Sequence, residues 1–215
     1  MEGAEVVEVI ERAFEEVPHP GDAFLLGSHD GGEPLEEVGA FHGLTDWHTP
    51  TPEFLDAHYA VLSFLSEGGF RYFLPAFLVA DVRDALQTAD PVFHLTHGFV
   101  DIATTHEIGG RAFTRRSGRS RFINPRRYGA TTFLDYARYR LSVFAREESA
   151  AIVTYLEFIR GLEARATDRE PIDRALEQFW RDRAASAPTS PDLRRYLDEQ
   201  AEYVEALIRG QRDAP

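Results

Sequence analysis

Residues 66–86, SEGGFRYFLPAFLVADVRDAL, form the most apolar and most aromatic continuous stretch of this 215-residue chain. The apolar side chains recur at helical spacing, and Ser66 placed three residues before Gly69 predicts the start of a helix. Pro75 interrupts the pattern, so we expect either two short helices or one helix kinked at this proline. The stretch therefore predicts the packing centre of the fold, onto which the first and last helices dock.

Asp81 interrupts the apolar stripe of this stretch, and a carboxylate is costly to bury there unless it is paired. We expect Asp81 to form an ion pair with an arginine from residues 138–160, and we expect Asp81→Ala to destabilise the fold. An unpaired Asp81 that faced a cavity would instead be a candidate functional residue.

Helical periodicity extends toward both ends of the chain. Residues 2–17 predict an amphipathic helix with glutamates on its outer face. In the last third, helices are predicted near Glu147, from Pro171 and from Ser190, each with apolar residues along one face.

Strand signals are few. Asp22–Ser28 is a short strand candidate, and residues 92–100 fit either a helix opened by Asp90–Pro91 or a strand, so both alternatives stay open. Residues 109–127 predict a long loop with a frayed hairpin. We therefore expect a mainly α fold, α+β at most: a compact helical domain with a small strand or hairpin element.

Composition bounds the class of protein. With 43% apolar residues the chain has ample material for a core, and we assign residues 1–185 to one globular domain and 186–215 to a C-terminal helix packed on it or extending from it. The longest apolar run, Phe73–Ala80, is far shorter than the roughly 20 residues that span a bilayer. The first segment is acidic and unlike a secretory signal, so we expect a cytoplasmic protein with no membrane partner.

Several chemistries are excluded by residue type. The chain has no cysteine, and all 23 basic residues are arginine, which removes thiolate nucleophiles, Schiff-base lysines and the P-loop lysine. GxSxG, GxGxxG and HExxH are also absent. We predict no catalytic residue, no cofactor and, on balance, no enzymatic activity.

Charge is unevenly distributed along the chain. The formal charge is −13, and residues 1–60 hold fourteen acids against the single base Arg12. This balance suits a cationic partner and opposes anionic membranes. The leading hypothesis is a non-enzymatic protein that binds another protein, of the immunity or accessory type.

The opposite charge gathers in one arginine-rich segment. Its candidate binding residues are Arg115, Arg116, Arg119, Arg121, Arg126 and Arg127. With interleaved aromatic residues they could bind phosphate or single-stranded nucleic acid. The favoured interpretation is that the segment compensates the acidic N-terminal half or stays solvated.

Histidines supply a second alternative, a metal-dependent enzyme. His94 and His97, with Asp22 or Asp101, could bind zinc or iron. The spacing is not diagnostic, and ordinary surface or core histidines are favoured. Trp47, at the centre of a loop, is a further candidate binding residue, although a tryptophan that closes the edge of the core is favoured.

Several short segments along the chain form a recognisable order: Pro20–Asp22, Trp47, Leu62–Leu65, Phe70–Leu78, Arg146–Glu148, Ala151–Ile152, Tyr155–Phe158 and Ala175–Trp180. In this order the chain resembles DUF6714, a family of uncharacterised bacterial proteins. The resemblance covers about residues 5–182, and the Leu-Pro stretch with its aromatic residues is its distinctive part. The resemblance implies no activity, because none is assigned to the family.

Overall fold

The computed structural model describes residues 1–28, 31–99, 103–108, 111–116, 133–195 and 198–199, the two segments 103–108 and 111–116 by their backbone alone. The helices are α1 (Gly3–Phe14), α2 (Glu33–Gly39), α3 (Pro52–Ala57), α4 (Val61–Phe64), α5 (Glu67–Val82), α6 (Pro91–Thr96), α7 (Phe133–Leu141), α8 (Arg146–Gly161), α9 (Arg169–Ala175) and α10 (Arg181–Ser186). The predicted mainly α fold is confirmed.

Shorter elements complete the fold. A π-helical turn, Leu176–Trp180, joins α9 to α10, and 3-10 turns occupy Asp22–Phe24 and Glu163–Asp168. Strands β1 (Ala103–Ile108) and β2 (Arg111–Arg116) pair antiparallel. No helix in these described ranges is both long enough and apolar enough to cross a bilayer.

Helix α5 lies at the centre of the core. Its N-cap is Ser66, whose Oγ accepts a hydrogen bond from the Gly69 N–H at 3.1 Å. Every residue from 72 to 80 is buried, so nearly the whole circumference of the helix is covered. The helix is one continuous element that contains Pro75, which excludes two short helices. The kink expected at this proline stays a prediction.

The other long helices pack around α5. Helix α1 contacts both α5 and α8, while α3 and α6 also reach α5. The largest fully buried side chains include Trp180, Tyr155, Phe14, Phe70 and Phe144. Aromatic burial on this scale supplies the main stabilising term of the fold.

The structure decides the two segments for which a strand was considered. The strand predicted over Asp22–Ser28 is wrong: the segment holds a 3-10 turn and a single bridge between Leu26 and Leu65. Gly21 precedes the turn with a φ of +90°, and one bridge does not make a ladder. For residues 92–100 the helix is correct, because Asp90 caps α6 by accepting the Phe93 N–H at 3.1 Å.

The described residues on either side of segment 100–132 lie close together. A Cβ added to Gly98, which has a φ of +94°, would lie 2.6 Å from the Phe133 carbonyl oxygen. The rings of His97 and Phe133 are 5.1 Å apart. This segment holds seven arginines against two acids, a formal charge of +5, which leaves −18 on the other residues (16 arginines against 34 acids).

The start of the predicted C-terminal helix contacts α8. Residues 190–195 are helical, and Ser190 donates its N–H to the Glu147 carboxylate at 2.9 Å. Ala187 is buried, and the Arg146 N–H donates to the carbonyl of Pro188 at 2.9 Å. The domain boundary between residues 185 and 186 stays a prediction.

Candidate functional site

The Trp47 loop, residues 43–50, is fixed to the helical body by side chains from outside it. Gly43 donates its N–H to both carboxylate oxygens of Asp22, at 3.1 and 3.0 Å. The Tyr72 hydroxyl donates to the carbonyl of Thr45 at 2.5 Å. Because these tethers come from two separate elements, the loop is ordered before any ligand arrives.

Trp47 itself is buried, with 4% of its surface exposed. It therefore closes the edge of the core, as the favoured interpretation expected. The His48 ring stacks on the indole with centroids 3.6 Å apart, and His48 also donates its N–H to Asp46. Two hydrogen bonds from His48 lower the pKa of Asp46. The bond from the His48 backbone N–H has the larger effect, and the bond from the His48 ring has the smaller one.

A groove of about 120 Å³ opens beside Trp47. Its apolar lining comes from Pro50 and Pro52 and from the α5 residues Ala76, Val79 and Ala80. Glu11 from α1 and Arg83 from the end of α5 lie at its rim, with their charged groups 3.6 Å apart. The groove thus joins a small-residue surface of α5 to the acidic helix α1.

Glu11, which lines this groove, belongs to an acidic face of α1 that also includes Glu8 and the C-cap residue Glu15. These residues are spaced by three and four positions, so their carboxylates lie on one side of the helix. Within the described residues, neither Glu8 nor Glu15 forms an ion pair. Like charges at this spacing each cost a helix roughly 0.2–0.5 kcal/mol, and acids near the C-terminal end of a helix oppose its dipole.

Arginines in the described helices are used differently, because most of them have intramolecular partners. Arg71 forms a buried ion pair with Glu148, at 2.8 Å between Nε and Oε2. Arg183 donates from Nε and Nη2 to the carbonyl of Phe144, at 3.2 and 2.8 Å. The described cations are largely structural, whereas the carboxylates of Glu8 and Glu15 are available to a partner.

Asp81 is partly buried, with its side chain 8% exposed, and it is paired. Arg165 Nη1 lies 3.0 Å from its carboxylate, and the hydroxyl of the fully buried Tyr155 donates to it. The ion pair was predicted, but its partner lies outside the expected segment 138–160. Burial raises the pKa of Asp81 in spite of the opposing effects of Tyr155 and Arg165. These contacts give Asp81 a structural role.

The metal candidates are separated in the described part of the chain. Asp22 lies beside Gly43 and 3.9 Å from His19, whereas His94 and His97 lie at α6. No three His, Asp or Glu side chains of the described residues form a group that could hold a metal ion. Asp101 lies outside those residues, so a zinc or iron site that includes it stays a prediction.

The arginine-rich binding candidates fall largely outside the described residues. Arg115 and Arg116 belong to β2, of which the backbone alone is described, and Arg119, Arg121, Arg126 and Arg127 lie beyond it. Their role in binding phosphate or nucleic acid stays a prediction.

The sequence reasoning missed the floor of the groove. Ala76, Val79 and Ala80 were assigned only to the apolar core, yet their spacing of three and four positions places small side chains along one line of α5. Such a line of small residues was the available signal for a shallow groove.

A family model described as "Family of unknown function (DUF6714)" matches residues 2–108. The chain belongs to this family through its N-terminal half, which contains Trp47, the groove and α1. The resembling segments from Arg146 onward lie outside the matched range. No curated protein and no solved structure matches the chain.

Proposed function

We propose that this chain is a non-enzymatic binding protein of the bacterial cytoplasm, of the immunity or accessory type, which docks a basic partner protein. The proposed surface is the acidic face of α1 together with the Trp47 groove. One observation carries the proposal: Glu11 stands at the rim of an apolar groove whose loop is already fixed, and it shares its acidic face with Glu8 and Glu15, which form no ion pair within the described residues. The partner is accordingly a protein that presents arginines or lysines around one small apolar side chain.

The charged residues and the groove contribute to different steps of partner binding. Glu8 and Glu15 attract and orient the partner, because complementary charges raise the association rate and exclude acidic competitors. The groove of about 120 Å³ accommodates an apolar anchor against Ala76 and Val79. Interfaces of this kind draw most of their affinity from a few central anchors surrounded by a polar rim.

Site-specific photo-crosslinking in living cells tests the surface. A photoreactive residue at position 8 is expected to capture a defined basic protein, and one at position 33 on α2 is not. Glu33 is exposed and acidic like Glu8, which makes it the matched position. Equal capture of one protein at both positions, or capture of acidic proteins alone, would contradict the proposal.

The purified partner then allows a quantitative test. The double variant Glu8→Arg/Glu15→Arg is expected to weaken binding at least tenfold, and binding of the unmodified chain is expected to weaken as salt is raised. The control Glu33→Arg/Glu36→Arg makes the same change in net charge on α2 and is expected to leave the affinity within about twofold. Equal losses in both double variants would show a general charge effect in place of a surface on α1.

The charge of +5 on segment 100–132 keeps nucleic-acid binding as the second candidate function. Fluorescence polarisation with a single-stranded oligonucleotide tests it, and the affinity must fall steeply with salt if the arginines neutralise phosphates. Affinity that did not change with salt would exclude this function. Metal analysis of the purified protein tests the zinc or iron alternative in the same preparation.

A further inference from the structure

A cleft of about 260 Å³ lies between α6 and α7, on different residues from the Trp47 groove. Its polar side chains are His94, His97, Tyr136, Arg140 and Ser63. None of its described lining residues is a carboxylate, although acids outnumber arginines in the chain by 36 to 23. The cleft is therefore a positive region in a negatively charged protein.

Arg140 is held rigidly in this cleft. Its guanidinium donates to the backbone carbonyls of Leu62 and Leu65 and to the Tyr136 hydroxyl, the last at 3.0 Å, and its Cζ lies 4.6 Å from the centroid of the Phe70 ring. None of these partners carries a negative charge. An arginine has five N–H groups, so two of them have no acceptor among the described residues.

Burial and, at His94, the Arg140 charge act on the neighbouring imidazoles of the cleft. Burial lowers the pKa of His94 to about 3, and the charge of Arg140 acts in the same direction. Burial also lowers the pKa of His97. Both imidazoles are therefore neutral near pH 7, and an anion that entered the cleft would favour their protonation.

Apolar rings form the walls beside these groups. Phe93 is 49% exposed, and its ring lies 4.7 Å from that of His97. The His97 ring in turn contacts Phe133 edge-on, with centroids 5.1 Å apart. An exposed phenylalanine at the mouth of a cationic cleft offers a flat apolar surface to a ligand ring.

We propose that this cleft binds a small aromatic anion, with its carboxylate or phosphate group at Arg140 and His97 and its ring against Phe93. Arg140 supplies fixed charge and two N–H groups that have no acceptor among the described residues, and charge-assisted hydrogen bonds to an anion are about twice as strong as neutral ones. His97 adds a second donor and gains a proton on binding. Phe93 selects ligands with a flat ring over simple inorganic anions.

Titration calorimetry with benzoate and with phenyl phosphate tests the proposal, and inorganic phosphate and benzylamine serve as comparison probes. At least one of the two aromatic anions is expected to bind at least tenfold more tightly than either comparison probe. Tighter benzoate binding assigns a carboxylate ligand, and tighter phenyl phosphate binding assigns a phosphate ligand. Failure of both aromatic anions to bind, or equal binding of benzylamine, overturns the proposal.

Two variants at exposed positions locate the site without disturbing Arg140. Phe93→Ala and His97→Gln are each expected to weaken the aromatic anion at least fivefold while the melting temperature stays within a few degrees. The matched control His42→Gln changes an exposed histidine that does not line the cleft and is expected to leave affinity unchanged. Affinity that both cleft variants retained would place the ligand elsewhere and refute the assignment.

The pH dependence of the affinity distinguishes this site from a nonspecific aromatic contact, which would not change with pH. The groups that face the anion are His94, His97, Tyr136 and Arg140. Affinity is expected to rise as pH falls from 8 toward 5.5, by up to about tenfold per pH unit for one coupled proton. His97→Gln is expected to flatten this dependence, and an unchanged slope in that variant excludes His97 as the group that gains the proton.

Discussion

Replacing Arg71 by methionine removes one half of the most buried ion pair among the described residues. Glu148 has no exposed surface and Arg71 is 11% exposed, and two hydrogen bonds join the guanidinium to the carboxylate. The methionine fills much of the arginine volume, so the main effect is a carboxylate left in the core without its cation. Breaking a buried pair in this way costs roughly 3–5 kcal/mol.

Chemical denaturation followed by circular dichroism measures this loss directly. Thermal unfolding gives a second measure of the same loss. At about 2–4 °C per kcal/mol for a chain of this size, the melting temperature is expected to fall by about 6–20 °C. The exposed pair Arg160–Asp173 is the matched control, with side chains that are 49% and 48% exposed. Arg160→Met is expected to cost no more than about 1 kcal/mol, because exposed pairs contribute little.

A second substitution separates the lost attraction from the stranded charge. Glu148 Oε2 also accepts the Ala145 N–H at 3.1 Å, and a glutamine oxygen preserves that bond. Arg71→Met/Glu148→Gln is therefore expected to recover roughly 2 kcal/mol of the loss, since no charge remains in the core. Arg71→Met costing less than 1 kcal/mol, or a double variant no more stable than the single one, would refute the reasoning.

Three further predictions concern other buried groups. The folded state does not bind a proton at His94 until pH falls to about 3, whereas the unfolded chain does so near 6.5. The free energy of unfolding is therefore expected to fall by up to about 1.4 kcal/mol per pH unit as pH decreases between those values. Urea titrations at several pH values measure this slope, and His94→Gln is expected to flatten it. Asp81→Ala is expected to lower the free energy of unfolding by about 2–4 kcal/mol, because the buried Tyr155 hydroxyl loses its acceptor. Asp81→Asn retains an acceptor oxygen and is expected to lose less. An equal loss in both variants would contradict this reason. Gly98→Ala is expected to lower the free energy of unfolding by at least about 2 kcal/mol, because the added Cβ would clash with the Phe133 carbonyl and the φ at this position is positive. Gly39→Ala is the control in the same thermal unfolding experiment. Gly39 has open space around an added Cβ and no positive φ, so this variant is expected to be neutral or stabilising.

Local signals predicted the helices well. Periodicity in residues 2–17 identified the buried side of α1, where Val6, Ile10 and Phe14 have no exposed surface. Capping residues identified the starts of α5 and α6, because a side chain that accepts a nearby N–H acts over three residues of sequence. The wrong strand over Asp22–Ser28 shows the limit of such signals, since a strand requires a partner elsewhere in the chain.

Contacts between distant residues were beyond the reach of these signals. Asp81 was expected to pair, because a buried carboxylate needs a cation, yet Arg165 lies 84 residues away and only packing selects it. The cleft at Arg140 and the groove at Ala76 likewise join helices that are remote in sequence. Neither surface has a motif that marks it.

The sequence alone determined which segments are helical, where several of them begin, and how charge divides between an acidic body and a basic segment. These properties depend on propensity, capping and composition, which act over a few residues. The tertiary structure decided which charges are buried and paired and which carboxylates stay available on α1. It also decided that His97 and Arg140 share a cleft, because burial and proximity depend on how the helices pack. The residues of 66–86 specify the central helix by themselves, but the partner of its Asp81 is specified only by the assembled core.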